Sequence, residues 1–203
     1  MKVLLIVDLQ NDFLPGGALA VPYGDQIIPV INEIQQQFDL IIATQDWHPK
    51  EHKSFATQHS THKVFDSIDL NGIPQILWPD HCVQGTYGAE FTREWKSDDV
   101  AAIFRKGMNV EVDSYSGFYD NDKRGNTGLL GFLKEKQVTA LYVCGLAADF
   151  CVYYTAKDAA EAGLQTYFLD FATKAISEVG LIEAKKVLRD MGVQIVETRE
   201  DLV

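Results

Sequence analysis

Leu141-Tyr142-Val143-Cys144-Gly145-Leu146-Ala147-Ala148-Asp149-Phe150-Cys151 reads as a buried strand that turns sharply into a helix. Beyond it, Tyr154, Thr155, Asp158, Ala159 and Ala162 continue a helical period that Gly163 stops. One strand feeding one helix is the repeating unit of an α/β sheet. Five further apolar runs fit the same unit: residues 3–7, 40–44, 101–104, 166–169 and 193–196 join residues 140–143 as six expected strands. Such runs imply a mostly parallel sheet covered on both faces. Helical faces fall between them, with Ile27, Ile28, Ile31, Ile34 and Phe38 in one, and Leu129, Leu130, Phe132 and Leu133 in another. Ser177 is placed to cap a last helix that ends near Gly192.

The expected architecture is therefore a single α/β domain over residues 1–203, three layers (αβα) around a six-stranded, mostly parallel sheet. A chain of 203 residues buries an adequate core without disulfide or metal support for the fold. Three cysteines and no secretion-type leader point to a reducing compartment, with cytoplasm as the expected address. A net charge of −11 argues against nucleic acid and anionic membrane as partners. A small-molecule substrate is expected instead, and the chain is compatible with a monomer or a homo-oligomer. One region breaks the βα alternation. Residues 47–95 carry all five histidines and an Asn71-Gly72 turn signal for a small hairpin. A long insertion after a strand's carboxyl end is where α/β proteins build sites.

Ligands in open parallel sheets bind beyond the carboxyl ends of the strands. Asp8 follows the first run, Asp46 and His48 the second, Lys106 the third and Cys151 the fourth, so an acid, a metal-type pair, a cation and a thiol converge on one edge. Each has an ordinary explanation as a turn, a solvated group or core filling, but their coincidence favours chemistry. A thiol at a helix N-terminus is expected to have a lowered pKa, lowered further by a nearby lysine.

Five segments, with their flanking residues, carry a resemblance to the nicotinamidase branch of the isochorismatase-like cysteine hydrolases, and together they span essentially the whole chain. They are Val7-Asp8-Leu9-Gln10-Asn11-Asp12-Phe13, Thr44-Gln45-Asp46-Trp47-His48-Pro49, Trp78-Pro79-Asp80-His81-Cys82-Val83-Gln84-Gly85-Thr86, Phe104-Arg105-Lys106-Gly107 and Gly145-Leu146-Ala147-Ala148-Asp149-Phe150-Cys151-Val152. The resemblance implies a deamidase that converts nicotinamide to nicotinate and ammonia, with pyrazinamide as a second substrate. It implies Cys151 as nucleophile, Asp8 as base and acid, and Lys106 holding both by charge. It also implies a cis peptide bond at Leu146-Ala147, with the amides of Ala147 and Cys151 facing the oxyanion. Ala148 and Phe150 depart from the threonine and the tyrosine or histidine common in relatives. Backbone amides read the oxyanion, so the mechanism is expected to tolerate both changes.

The same resemblance assigns one divalent metal ion to Asp46, His48 and His81, with zinc favoured and iron or manganese as alternatives. Mixed nitrogen and oxygen ligands discriminate poorly among these ions. His52 lies close enough in sequence to serve as an outer or fourth ligand, whereas His59 and His62 read as ordinary loop residues. Phe13, Trp78 and Tyr115 are candidates to line a flat pocket for a pyridine ring. Cys82 and Cys144 read as packing thiols. The rival reading within this fold is a cysteine amidohydrolase for carbamoyl, ureido or maleamate-type amides, whose members generally lack the full metal set. A non-catalytic binding module is a third, and no glycine-rich phosphate loop supports it.

Overall fold

The computed structural model describes residues 1–202; Val203, the last residue of the expected 1–203 span, lies outside the described residues. Among the described residues there are eight strands: β1 (Lys2–Val7), β2 (Leu40–Asp46), β3 (Ser67–Leu70), β4 (Ile73–Ile76), β5 (Val100–Lys106), β6 (Ala140–Leu146), β7 (Gln165–Lys174) and β8 (Gln194–Val196). The helices are α1 (Ile27–Ile34), α2 (Leu129–Glu135), α3 (Cys151–Glu161) and α4 (Glu178–Asp190). Six strands form one sheet in the order β5-β2-β1-β6-β7-β8, and every pairing in it is parallel. The chain leaves β1 towards β2 and β5 and later returns on the other side as β6. That reversal opens a crevice beyond the carboxyl ends of β1 and β6, where doubly wound sheets bind ligands.

The pleat divides each central strand between two cores. In β1, Leu4 and Ile6 face a core with Ile27, Ile28, Ile31 and Ile34 of α1. Val3, Leu5 and Val7 face the opposite core with Leu129 and Leu133 of α2, Val152 and Ala156 of α3, and Leu188 of α4. Each of the buried valine, leucine and isoleucine side chains among these contributes about 2 kcal/mol through loss of contact with water. Three helices thus cover one face and one covers the other. Trp78, Cys82, Ala89 and Trp95 of the 47–95 segment complete the thinner layer, so that segment is part of the core as well as a carrier of polar residues.

Several expectations need adjustment at element ends. The strands run beyond their apolar cores, to Asp46 in β2, Lys106 in β5, Leu146 in β6 and Lys174 in β7, because polar residues keep the backbone ladder even where side-chain pattern fails. The third strand is not buried on both faces: β5 is an edge, and Ile103 is 51% exposed. Phe38 follows α1 after a single 3-10 turn and is extended. The Asn71-Gly72 turn does join a hairpin, β3 to β4, with both residues at positive φ (57° and 86°). Ser177 caps α4 by accepting the Gly180 N–H at 3.3 Å.

Candidate active site

β1 and β6 approach unusually closely at their ends. Gly145 has φ 111°, and a Cβ there would lie 2.1 Å from the carbonyl oxygen of Val7, so only glycine permits the contact. The next residue of β1, Asp8, turns at φ 48°, a left-handed conformation that aspartate tolerates. Its carboxylate is fully buried and accepts the Thr44 hydroxyl of β2 at 2.7 Å. Lys106, register partner of Asp46 across the β2–β5 ladder, sends its ammonium into the same corner. Its Nζ stands 2.8 Å from Asp8 Oδ2 and 3.0 Å from Asp46 Oδ1, and donates to the Ser114 carbonyl at 3.0 Å and to Cys151 Sγ at 3.4 Å. Cys151 is the first residue of α3, and Leu146-Ala147 is a cis peptide bond. Neither the Ala147 N–H nor the Cys151 N–H is spent on a turn or cap hydrogen bond.

The electrostatics correct one expectation. Burial pushes the Cys151 thiol well above its ordinary pKa; Lys106 pulls it down, but Asp8, Asp46 and Asp113 push it up again. The helix N-terminus and one lysine therefore do not leave a free thiolate, because at 7% exposure the site charges a desolvation cost that they do not cover. Burial likewise raises the Asp8 carboxyl against the pull of Lys106. For Lys106 burial works downward, yet Asp46, Asp8 and Cys151 outweigh it and the ammonium is held well above its usual range. Burial would raise Asp46 too, but His48 and Lys106 hold it well below the carboxylate range.

Asp46, His48 and His81 form a buried group whose ligand-type atoms lie within 4.8 Å of one another. Their orientation is set by backbone carbonyls: His48 Nδ1 faces Gly107 O at 2.9 Å and His81 Nδ1 faces Pro79 O at 2.8 Å. A carbonyl only accepts, so each Nδ1 carries a proton, and in the neutral form of each ring a bare Nε2 is turned towards Asp46. Those nitrogens stand 3.1 and 3.5 Å from Asp46 Oδ2, acceptor against acceptor, an arrangement suited to a cation between them. Burial would lower His48, but the Asp46 charge raises it and so favours a protonated ring, in competition with a cation that needs the nitrogen bare. His52 is different. Its Nδ1 lies 2.8 Å from the Ser54 hydroxyl and accepts the Ser54 N–H at 3.2 Å; since an N–H can only donate, the proton of the neutral ring is on Nε2. Burial lowers His52 to about 4. It joins a separate group with His48 and Asp113. His59 and His62 lie away from both groups, nearer the surface.

Between the thiol and the imidazoles is a narrow cleft lined mainly by aromatic and aliphatic side chains. Phe13, Trp78 and Tyr115 all line it, with Cys151, Ala147, His81 and Asp46. Phe150 adds an aromatic wall, edge-on to Trp78 and Tyr115 at centroid distances of 4.9 and 5.5 Å. Sequence reading missed Leu19, Asp113 and Ile176, which also line the cleft. The strand-end rule points to Ile176, just beyond β7, and Asp113 precedes Tyr115 by two residues; nothing local marks Leu19. Cys82 and Cys144 are fully buried and neither lines the cleft, so neither competes with Cys151 as a nucleophile.

Comparison with known proteins agrees with this fold. Residues 2–200 match the model of the isochorismatase domain family. A nicotinamidase of Acinetobacter baylyi is 47% identical over 201 residues, covering 98% of this chain and 94% of that protein. An Acinetobacter baumannii nicotinamidase/pyrazinamidase structure superposes with a TM-score of 0.96 at 42% identity, covering 100% of this chain and 98% of that one. The pyrazinamidase of Pyrococcus horikoshii, solved in complex with zinc, has a TM-score of 0.79 at 37% identity and covers 97% of this chain and 99% of that one. The chain belongs to the isochorismatase family, in its nicotinamidase branch.

Proposed function

We propose that this protein is a nicotinamidase, hydrolysing nicotinamide to nicotinate and ammonia through a thioester on Cys151, and that it also deamidates pyrazinamide. The observation that carries the mechanism is the Lys106 ammonium, within 2.8 Å of Asp8 and 3.4 Å of Cys151 Sγ. A buried thiol with a raised pKa needs a base, and a buried carboxylate with a raised pKa is a competent one. Asp8 takes the Cys151 proton as sulfur attacks the carboxamide carbon. The N–H groups of Ala147 and Cys151 receive the oxyanion. Collapse breaks the C–N bond, and Asp8 returns the proton to the departing nitrogen, which leaves as ammonia. Water, deprotonated by Asp8, then cleaves the thioester and releases nicotinate and the thiol. Lys106 keeps Asp8 and Cys151 in register through both halves.

Asp46, His48 and His81 are the residues that would hold a divalent cation, and zinc suits their mixed nitrogen and oxygen donors. When bound, the ion supplies a Lewis-acid contact for the pyridine nitrogen and so selects a ring-bearing carboxamide. Phe13, Trp78 and Tyr115 would enclose the ring. The names of the relatives support the substrate. Ammonia release from nicotinamide, pyrazinamide and N-carbamoyl amides, with and without chelator, tests the reading. Nicotinamide should be the best substrate, and Cys151→Ala should lose at least about 10³-fold in kcat; an alanine variant that still turns over contradicts the mechanism. A chelator-insensitive preference for carbamoyl amides contradicts the substrate.

A further inference from the structure

One wall of the cleft carries a carboxylate that the mechanism above does not use. Asp113 lies in the loop after β5 and is 3% exposed. Its Oδ1 accepts the Ser114 N–H at 2.8 Å and its Oδ2 accepts Gln75 Nε2 at 3.0 Å. Both donors are neutral, and among the described residues no lysine or arginine pairs with it. A buried carboxylate in that condition calls for positive charge nearby. Around the site three buried carboxyl groups, Asp8, Asp46 and Asp113, are set against the Lys106 ammonium, which Asp8 and Asp46 share; with all three ionised the formal excess is two negative charges. That is the charge of one divalent cation.

Geometry points the same way. A carboxylate oxygen of Asp113, a ring nitrogen of His52 and one of His48 lie within 4.8 Å of one another. His48 is shared with the Asp46–His81 group, so Asp113 and His52 adjoin that group. His52 Nε2 is fully buried without a hydrogen-bond partner, and with Nδ1 accepting from Ser54 it presents an N–H and not a lone pair. An N–H donor cannot ligate a cation, but it can orient an anion or a bound water.

We propose that Asp113 and His52 form an outer wall of the cation site. Asp113 supplies the carboxylate that balances the charge of a divalent ion, and His52 supplies the N–H that orients the groups around it. Both are positioning residues and neither is a ligand. The inference rests on the reading that Asp46, His48 and His81 hold the ion.

The test is competitive titration of chelator-stripped protein with Zn²⁺ against a chromophoric chelator, with the melting temperature of the metal-free protein recorded alongside. Asp113→Asn should weaken Zn²⁺ binding about 10–100-fold, the range for residues that support metal ligands from behind. Gln75→Ala removes a donor to Asp113 but keeps the charge, and should change the Kd less than about threefold. Asp113→Glu should recover part of the loss. His52→Ala is a second variant, expected to weaken binding about tenfold. An unchanged Kd in Asp113→Asn or His52→Ala overturns the inference, as does an equal loss in Gln75→Ala, which would make the effect one of loop packing. If the wild-type protein takes up no Zn²⁺, the cation reading falls and this inference with it; if it binds Zn²⁺ and the variants match it, only the inference falls.

Discussion

Asp8, Lys106 and Cys151 are held by the ends of β1, β5 and β6–α3, whereas His48, His52 and His81 are held by a segment with almost no regular structure. In the first region the parallel ladder does the positioning: Asp46 is paired with Lys106 and Val7 with Gly145, and a slip of one residue would turn each side chain to the opposite face. In the second, single hydrogen bonds do it. His48 N donates to Cys82 O, Gln84 N to His48 O, and Cys82 N to the Asp12 carboxylate at 2.7 Å. The rigid ladder suits proton transfer, which depends on fixed donor–acceptor distances. The irregular segment offers carbonyls at angles no strand provides, and those carbonyls set which imidazole nitrogen is bare.

The sharpest way to break this comparison is at Lys106, which holds Asp8 and Cys151 and also Asp46, the carboxylate that faces the histidines of the irregular segment. Lys106→Met leaves Asp8 and Asp46 facing each other without a cation, and kcat should fall about 10³-fold through loss of buried charge stabilisation. Stability should fall by about 3 kcal/mol in urea unfolding. A variant with near-normal kcat would mean that the thiol and Asp8 do not depend on it.

Gly107 is the joint between the regions. It has φ 68°, its carbonyl orients His48, and a Cβ would lie 2.4 Å from His48 Cε1. Gly107→Ala should weaken Zn²⁺ binding about 10–100-fold, while alkylation of Cys151 by iodoacetamide stays near the wild-type rate. Equal loss of both would show that the two regions move as one.

The pH profile probes the catalytic corner alone. Asp8 must be ionised to take the thiol proton, and its raised pKa keeps it protonated to a higher pH than an ordinary carboxyl. At saturating Zn²⁺, kcat/KM should rise about tenfold per pH unit on the acid side, along a limb centred above the usual 3.8. A limb at or below that value would remove Asp8 from the role.

The smallest effect is expected at the hairpin tip. Asn71 sits at φ 57° and donates to the Glu111 carbonyl at 3.1 Å. Asn71→Ala should cost roughly 0.5–1 kcal/mol in urea unfolding, with kcat unchanged within about twofold. A larger loss of activity would mean that the hairpin steadies Asp113, two residues beyond Glu111, and that the irregular region extends further than its ligands.

No helix among the described residues is long and apolar enough to cross a membrane. The six sheet strands, the caps at Ser177 and Gly163 and the 71–72 turn were legible because each rests on neighbours in the chain. The strand-end rule likewise brings Asp8, Asp46, Lys106 and Cys151 to one edge from residue order alone. Asp113 was not legible, since a carboxylate in a Ser- and Gly-containing loop looks solvated until Gln75 and His52 are folded against it. The second duty of the 47–95 segment, closing the thinner helix layer with Trp78 and Trp95, was hidden for the same reason.

Residue order along the chain was enough to specify the elements, their parallel arrangement and the kinds of groups delivered to the cleft, because hydrogen-bonded ladders and helical periods are local. Protonation was another matter. Whether Cys151 rests as thiol or thiolate, which nitrogen of each histidine is bare, and how many negative charges stand unbalanced depend on burial and on distances between residues far apart in the chain. Desolvation and Coulomb energy act through space, so only the folded chain sets them.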